Sequence, residues 1–226
     1  MSDLVSFDRG VHIRGTPLWF DSQGRREHNV LTSLVGKLPV MHHRVLASIG
    51  LARTLRRCGY KPVVLPVDWD RWVGFGGQQI KFVDLGGCFG TAAVLVSGAE
   101  RVLIGGILPR ANGIRWPSAE HLVLNLPETK HSGSSAESVV RSVCNFVGQS
   151  IEDGASVAIL VDSLDPAFFL MEQCALEGIA LRPVGLLAKA LGGGRYCRKA
   201  PAIGVAGAAV KANRYVRVDC GLRLTH

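Results

Sequence analysis

Residues 62–126 read as one strand after another. Glycine and proline cut this stretch into short apolar runs at 62–65, 79–84, 92–96, 101–107 and 121–126. Runs of that length, bounded by turn residues, are strand signals rather than helix signals. Beyond residue 130 the pattern changes. Ser134 with Glu137 three residues on forms a capping box, followed by Val139, Val140, Val143, Phe146 and Val147 at helical spacing. A continuous apolar run at 157–161 predicts a buried strand. Asp165 and Pro166 then supply an N-cap and a first helical residue, and that helix closes at Gly178. A strand at 179–184 and strand-like stretches at 203–205 and 215–218 complete the chain. Helices alternating with strands imply a parallel sheet layer.

The first sixty residues are mixed. Short strands are expected at 11–14, 18–20 and 30–35, with Asp21-Ser22-Gln23-Gly24 as a turn. A helix is expected over 43–58, with Val45, Leu46, Ile49, Leu51 and Leu55 as its apolar face and Gly59 as its C-terminal cap. Arg53, Arg56 and Arg57 suit the negative end of its dipole. The whole predicts an α/β chain of two portions, 1–130 and 131–226.

With 47% hydrophobic and 19% charged residues, the composition excludes a disordered chain. Six cysteines stand singly, without a C-x-x-C pair or zinc-ligand spacing, which argues against a disulfide scaffold and for a reducing compartment. The opening residues lack a charged-then-apolar leader, and no apolar run reaches the roughly 18 residues a membrane span needs. A cytoplasmic protein without a membrane partner is the expectation. A net charge of +8 and a pI near 9.5 favour an anionic partner such as nucleic acid.

Several segments in order resemble one family. Gly10-Val11-His12-Ile13-Arg14-Gly15-Thr16-Pro17-Leu18-Trp19-Phe20-Asp21 resembles the opening hairpin of the metallo-β-lactamase-fold nucleases that carry a β-CASP insertion, especially the DNA-ligase-associated and mRNA 3′-end processing exonuclease-like branches. His43-Arg44-Val45-Leu46-Ala47-Ser48 resembles the helix after that family's metal motif. Gly86-Gly87-Cys88-Phe89-Gly90-Thr91-Ala92 is similar to its Gly-His-x-x-Gly-Ser-Ala turn, and 101–107 to its strand ending in Thr-Gly-Asp. Residues 218–226 are similar to the piece leading into its closing Ser-Asp-His. The resemblance implies an αβ/βα sandwich whose second half is β-CASP-like and whose last segment is truncated.

The resemblance also implies a two-metal centre, and the departures fall on its ligands. The stretch matching the His-x-His-x-Asp-His motif is Ser33-Leu34-Val35-Gly36-Lys37-Leu38-Pro39, without imidazole or carboxylate. The turn histidine falls at Gly87, the strand-end aspartate at Ile107, and a further acidic position at Asn125. Two metal ions about 3.5–4 Å apart require several such ligands. The implied protein is therefore a pseudoenzyme without cofactor. Its expected roles are binding nucleic acid or pairing with a protein partner such as an active nuclease paralogue. Two other classes stay open. One is a hydrolase with a rebuilt site drawing on His42, His43, Asp84, Cys88 and His226; the other is a purely structural interaction protein.

His42 and His43 are adjacent, and neighbours on a helix point apart, which favours a helix-start role over a shared metal. Asp68 and Asp70 sit at period two but read as a solvated loop. Ser132 to Ser135 beside His131 reads as a cap, and Cys88 as a small buried side chain. The tract Gly192-Gly193-Gly194 lacks the strand and helix that flank a phosphate cradle and reads as a flexible turn. Around it and beyond lie Arg195, Arg198, Lys199, Lys211, Arg214, Arg217 and Arg223, interleaved with Tyr196 and Tyr215. Cations neutralise phosphates and aromatic rings stack on unpaired bases, so this stretch is the candidate nucleic-acid surface, with Tyr215 as its stacking residue.

Overall fold

The structure is a computed structural model, and it describes residues 4–35, 37–84, 86–105, 116–124, 136–193, 200–205, 212, 214–218 and 224–225. It is mixed α/β, and the chain divides into two compact units, the first holding Met1–Leu34 and Leu38–Leu126 and the second Val35–Lys37 and Pro127–His226.

The first unit opens with β1 (Val5–Phe7), β2 (Val11–Ile13), β3 (Leu18–Phe20), β4 (His28–Leu31) and β5 (Arg44–Ser48). Helix α1 (Ile49–Arg57) and β6 (Val64–Val67) follow. These six strands form one sheet in chain order, antiparallel from β1 to β3 and parallel from β3 to β6. A second sheet holds β7 (Trp72–Phe75), β8 (Gln78–Asp84), β9 (Ala92–Ser97), β10 (Val102–Gly105) and β11 (His121–Leu124), in which only the β10–β11 pair is parallel. Side chains of both sheets share one core. Phe20, Val30 and Leu46 from the first pack with Ile80, Phe82, Val94 and Ile104 from the second. Alternate residues of the second sheet, Val83, Ala93, Leu95 and Leu103, form a separate apolar cluster. Burial on both faces explains why β9 and β10 read as unbroken apolar runs.

The expected helix over 43–58 is corrected at its start. Residues Arg44–Ser48 are a strand, hydrogen-bonded in parallel to both β4 and β6. Val45, Leu46 and Ala47 are all buried, so consecutive side chains find apolar neighbours on opposite sides. That continuous run mimics one broad helical face, and periodicity alone does not separate the two. The helix begins after Ser48, whose Oγ accepts the Leu51 N–H at 3.1 Å. Its end agrees with expectation. The Tyr60 N–H donates to the Leu55 carbonyl and the Gly59 N–H to that of Arg56, a Schellman closure that needs the φ of +89° at Gly59.

The second unit contains α2 (Ala136–Glu152), β12 (Val157–Val161), α3 (Leu164–Leu176), β13 (Arg182–Pro183), α4 (Gly185–Ala190), β14 (Ala202–Val205), β15 (Arg214–Val218) and β16 (Leu224–Thr225). Its sheet runs β13-β14-β12-β15-β16, parallel except for the last pair. α3 packs on β12 and β14, and α4 on β14. The N-cap of α3 is Ser163, so Asp165 and Pro166 fall inside the first turn rather than at its entrance. A proline there removes an N–H that has no partner within the helix. The strand expected at 179–184 shrinks to Arg182–Pro183, since Gly178 and Ile179 close α3 instead. Gly192 and Gly193 are not a loose turn. Their N–H groups donate to Lys189 and Ala188, closing α4 with φ of +85° and +69°. Ser134, the expected cap of α2, lies outside the described residues.

Candidate functional site

The stretch at 33–39, which the resemblance matches to the metal motif, follows β4. Thr32 and Ser33 are buried, and two contacts fix the segment. Its Thr32 carbonyl accepts the Ala92 N–H at 2.9 Å, linking it to the first residue of β9. Below it, the Thr32 N–H and hydroxyl both donate to the carboxylate of Asp21, the N–H at 2.8 Å to Oδ1.

Asp21 is the residue the sequence reading missed. It was read only as the start of a turn, and an acid at a turn carries no separate signal in one sequence. Its backbone sits at φ +46°, in the left-handed region that is costly for a residue with a Cβ. Burial pushes its carboxyl up to about 6 from the usual 3.8, although Thr32 and Ser33 donate hydrogen bonds that pull the other way. The residue borders a cavity of about 290 Å³ shared with Arg9, Phe20, Gln23, Ile104 and Leu124. The strain, the raised carboxyl and the hollow coincide at the end of β3.

The start of α1 meets the glycine-rich turn at 86–90. Cys88–Gly90 is a single 3-10 turn with Phe89 at φ +56°. Its Gly90 carbonyl accepts the Ser48 hydroxyl, and the Cys88 carbonyl accepts the N–H of Thr91 at 3.1 Å. The turn is therefore a clamp on the start of α1.

The salvage residues do not converge. His42 is buried, and its Nδ1 accepts the Arg26 N–H at 3.2 Å, so that nitrogen's lone pair is taken. Burial, reinforced by the Arg26 guanidinium, holds its imidazole below the ordinary value. Arg26 itself lies over Trp19, 3.4 Å from the ring centroid, and bonds Asp8 at 2.9 Å. His42 is thus a strut between loops, preceding a strand rather than starting a helix. His43 is exposed, and Cys88 is half-buried in the turn. Asp84 accepts the Gly86 N–H at 2.8 Å. His226, with Ile107, Asn125 and the His131 to Ser135 stretch, lies outside the described residues. Among the described residues there is no group of three or more His, Cys, Asp or Glu side chains that can hold a metal ion. The donor set at 33–38 and 87–90 does not fit the two-metal centre that the resemblance implies.

Of the candidate nucleic-acid residues, Arg195, Arg198, Lys199, Lys211 and Arg223 lie outside the described residues, as does Tyr196. Arg214 is exposed and bonded to Asp153 Oδ2 at 2.8 Å, with Ser150 Oγ at 3.4 Å. Tyr215 and Arg217 belong to β15, between β12 and β16. Asp68 and Asp70 are exposed, with Lys81 Nζ at 4.0 Å from Asp70, as expected of a solvated loop. No helix among the described residues is long and apolar enough to cross a membrane.

Fold and site define a mixed α/β protein with a strained acidic turn beside a small cavity. No protein-family model matches the chain, and no curated protein matches it.

Proposed function

We propose that this chain is a catalytically silent relative of the metallo-β-lactamase/β-CASP nucleases that serves as a nucleic-acid-binding or accessory subunit. The observation that carries the reading is the chemistry of two anchored segments. Thr32 to Leu34 and Gly86 to Gly90 are held firmly by Asp21, Ala92 and Ser48, yet they present hydroxyl, aliphatic, thiol and backbone groups where hydrolysis needs imidazoles and carboxylates. A framework kept rigid without its ligands fits a binding role better than a catalytic one. The finer architecture belongs to the same proposal. It is an αβ/βα sandwich in which the two facing sheets form the lactamase-like portion and the parallel sheet of β12 to β15 the β-CASP-like one.

The net charge of +8 supports an anionic partner. The test is an end-labelled single-stranded oligonucleotide incubated with the protein in manganese or zinc, read for both retention and length. Retained and uncut strands are expected. Metal-dependent shortening overturns the reading in favour of a rebuilt active site. Neither retention nor cleavage leaves a protein-interaction module.

A further inference from the structure

From residue 38 to residue 67 the chain carries Arg44, Arg53, Arg56, Arg57 and Lys61 and not one Asp or Glu. This segment folds as β5, α1 and β6, so the imbalance is concentrated in one corner of the first unit. α1 buries Leu51, Ala52, Thr54 and Leu55, which leaves Arg53, Arg56 and Arg57 on its outward face, all exposed. The elements it packs against are β5, β6 and the Cys88–Gly90 turn, and none of them contains a carboxylate. Arg26, Lys81, Arg101, His121 and Arg214 each form an ion pair, whereas Arg53 and Arg56 form none among the described residues.

Like charges three and four residues apart destabilise a helix. The helix dipole compensates Arg56 and Arg57 in the last turn but not Arg53, which stands mid-helix. An outward row of cations within one turn of helix, with Arg53 and Arg56 about 4.5 Å apart along the axis, complements the closely spaced charges of a phosphate backbone. A lipid surface fits less well. The apolar face that such a helix would insert is already buried, with Leu51 and Leu55 fully enclosed.

We infer that the outward face of α1, through Arg53 and Arg56 with Lys61 beyond its cap, is a contact surface for the phosphodiester backbone of nucleic acid. It belongs to the first unit, whereas residues 195–223 belong to the second. This inference rests on the nucleic-acid-binding reading above and locates part of that binding.

The experiment compares the full chain with the double variant Arg53→Glu/Arg56→Glu. A control, Arg141→Glu/Lys189→Glu, makes the same change in net charge at exposed sites of the second unit. Binding to a fluorescent single strand is followed by anisotropy across a salt series, with circular dichroism verifying that all three fold. Loss of two phosphate contacts lowers the slope of log K against log salt by about 1.4. That drop, with at least tenfold weaker binding in low salt and a smaller effect in the control, is the expected result. An unchanged slope in the α1 variant, or an equal loss in the control, overturns the surface while leaving the binding function in place. No binding by the unaltered chain, or binding only to anionic vesicles of phosphatidylserine and phosphatidylcholine, overturns both.

Discussion

Gly50 and Gly90 meet backbone to backbone. A Cβ on Gly50 would lie 2.8 Å from the Gly90 Cα, and one on Gly90 would lie 2.1 Å from the Leu51 nitrogen. Gly90 also sits at φ +83°, where a side chain is strained regardless of space. The close approach lets the Ser48 hydroxyl reach the Gly90 carbonyl and ties the 86–91 turn to the first turn of α1.

Gly90→Ala is expected to destabilise the protein by about 3 kcal/mol or more, because both contacting partners are main chain and cannot step aside. Urea unfolding measures it. A loss under about 1 kcal/mol would mean that the two backbones are not packed as described.

Ser48→Ala removes the N-cap of α1 and leaves the Gly90 carbonyl without its hydroxyl donor. The expected loss is about 1–2 kcal/mol. Ser48→Thr keeps the oxygen and is expected to recover part of it. Equal losses in both variants would contradict the capping role.

The raised carboxyl of Asp21 gives a pH signature. The folded protein holds that proton up to about pH 6, whereas the unfolded chain releases it near 3.8. Between those values the folded state binds more protons. This group's contribution to stability therefore falls as pH rises through the window and stays unfavourable above it. Asp21→Asn removes the charge, so its stability relative to the unaltered chain is expected to increase from pH 4 to pH 6 and then level off. Because part of the residue still reaches solvent, the gain is about 1–3 kcal/mol at most. His42 titrates oppositely, its lowered value costing stability as pH falls through 6.5, but that is common to both proteins and cancels in the difference. A difference independent of pH would contradict a buried, raised carboxyl.

Cys144 on α2 and Cys174 on α3 bring their Sγ atoms to 3.5 Å. Burial, with the neighbouring Cys144, pushes the Cys174 thiol up to about 12, so the half-buried Cys144 is the one exposed to attack. Treatment with hydrogen peroxide is expected to form a Cys144 sulfenic acid; the Cys174 thiol attacks its sulfur, forming the S–S bond as the S–O bond breaks and water leaves. Peptide mass mapping is expected to find the pair joined and two hydrogens lighter, reversibly with dithiothreitol. Thiols at both positions that persist through oxidation would show that the helices hold them apart.

Several elements were legible because local chemistry agrees with the final packing. Gly59 and Gly178 end their helices as their positions imply, and the runs at 79–84 and 92–96 fall within β8 and β9. The errors have physical causes. Val45, Leu46, Ala47 and Ser48 are all buried, which erases the alternation that marks a strand. Trp72–Phe75 has a glycine and an exposed Trp72 in a strand paired with β8 at the sheet edge, so it gave no clear period. At the site, residue identity showed that 33–39 holds no imidazole or carboxylate, because that is read from the sequence alone. Asp21 was not legible, because its role depends on Thr32, eleven residues away, and on a backbone angle that no sequence prints. The distribution of charge in 38–67 was in plain view but had meaning only once α1 turned those arginines outward.

The proposed silent relative of the nucleases would fold without holding transition metal. The most direct measurement is elemental analysis of the purified protein after dialysis against zinc and manganese followed by metal-free buffer. The account expects well under one transition metal ion per chain. One or two tightly held ions per chain, displaced by chelator with loss of nuclease activity, would contradict it.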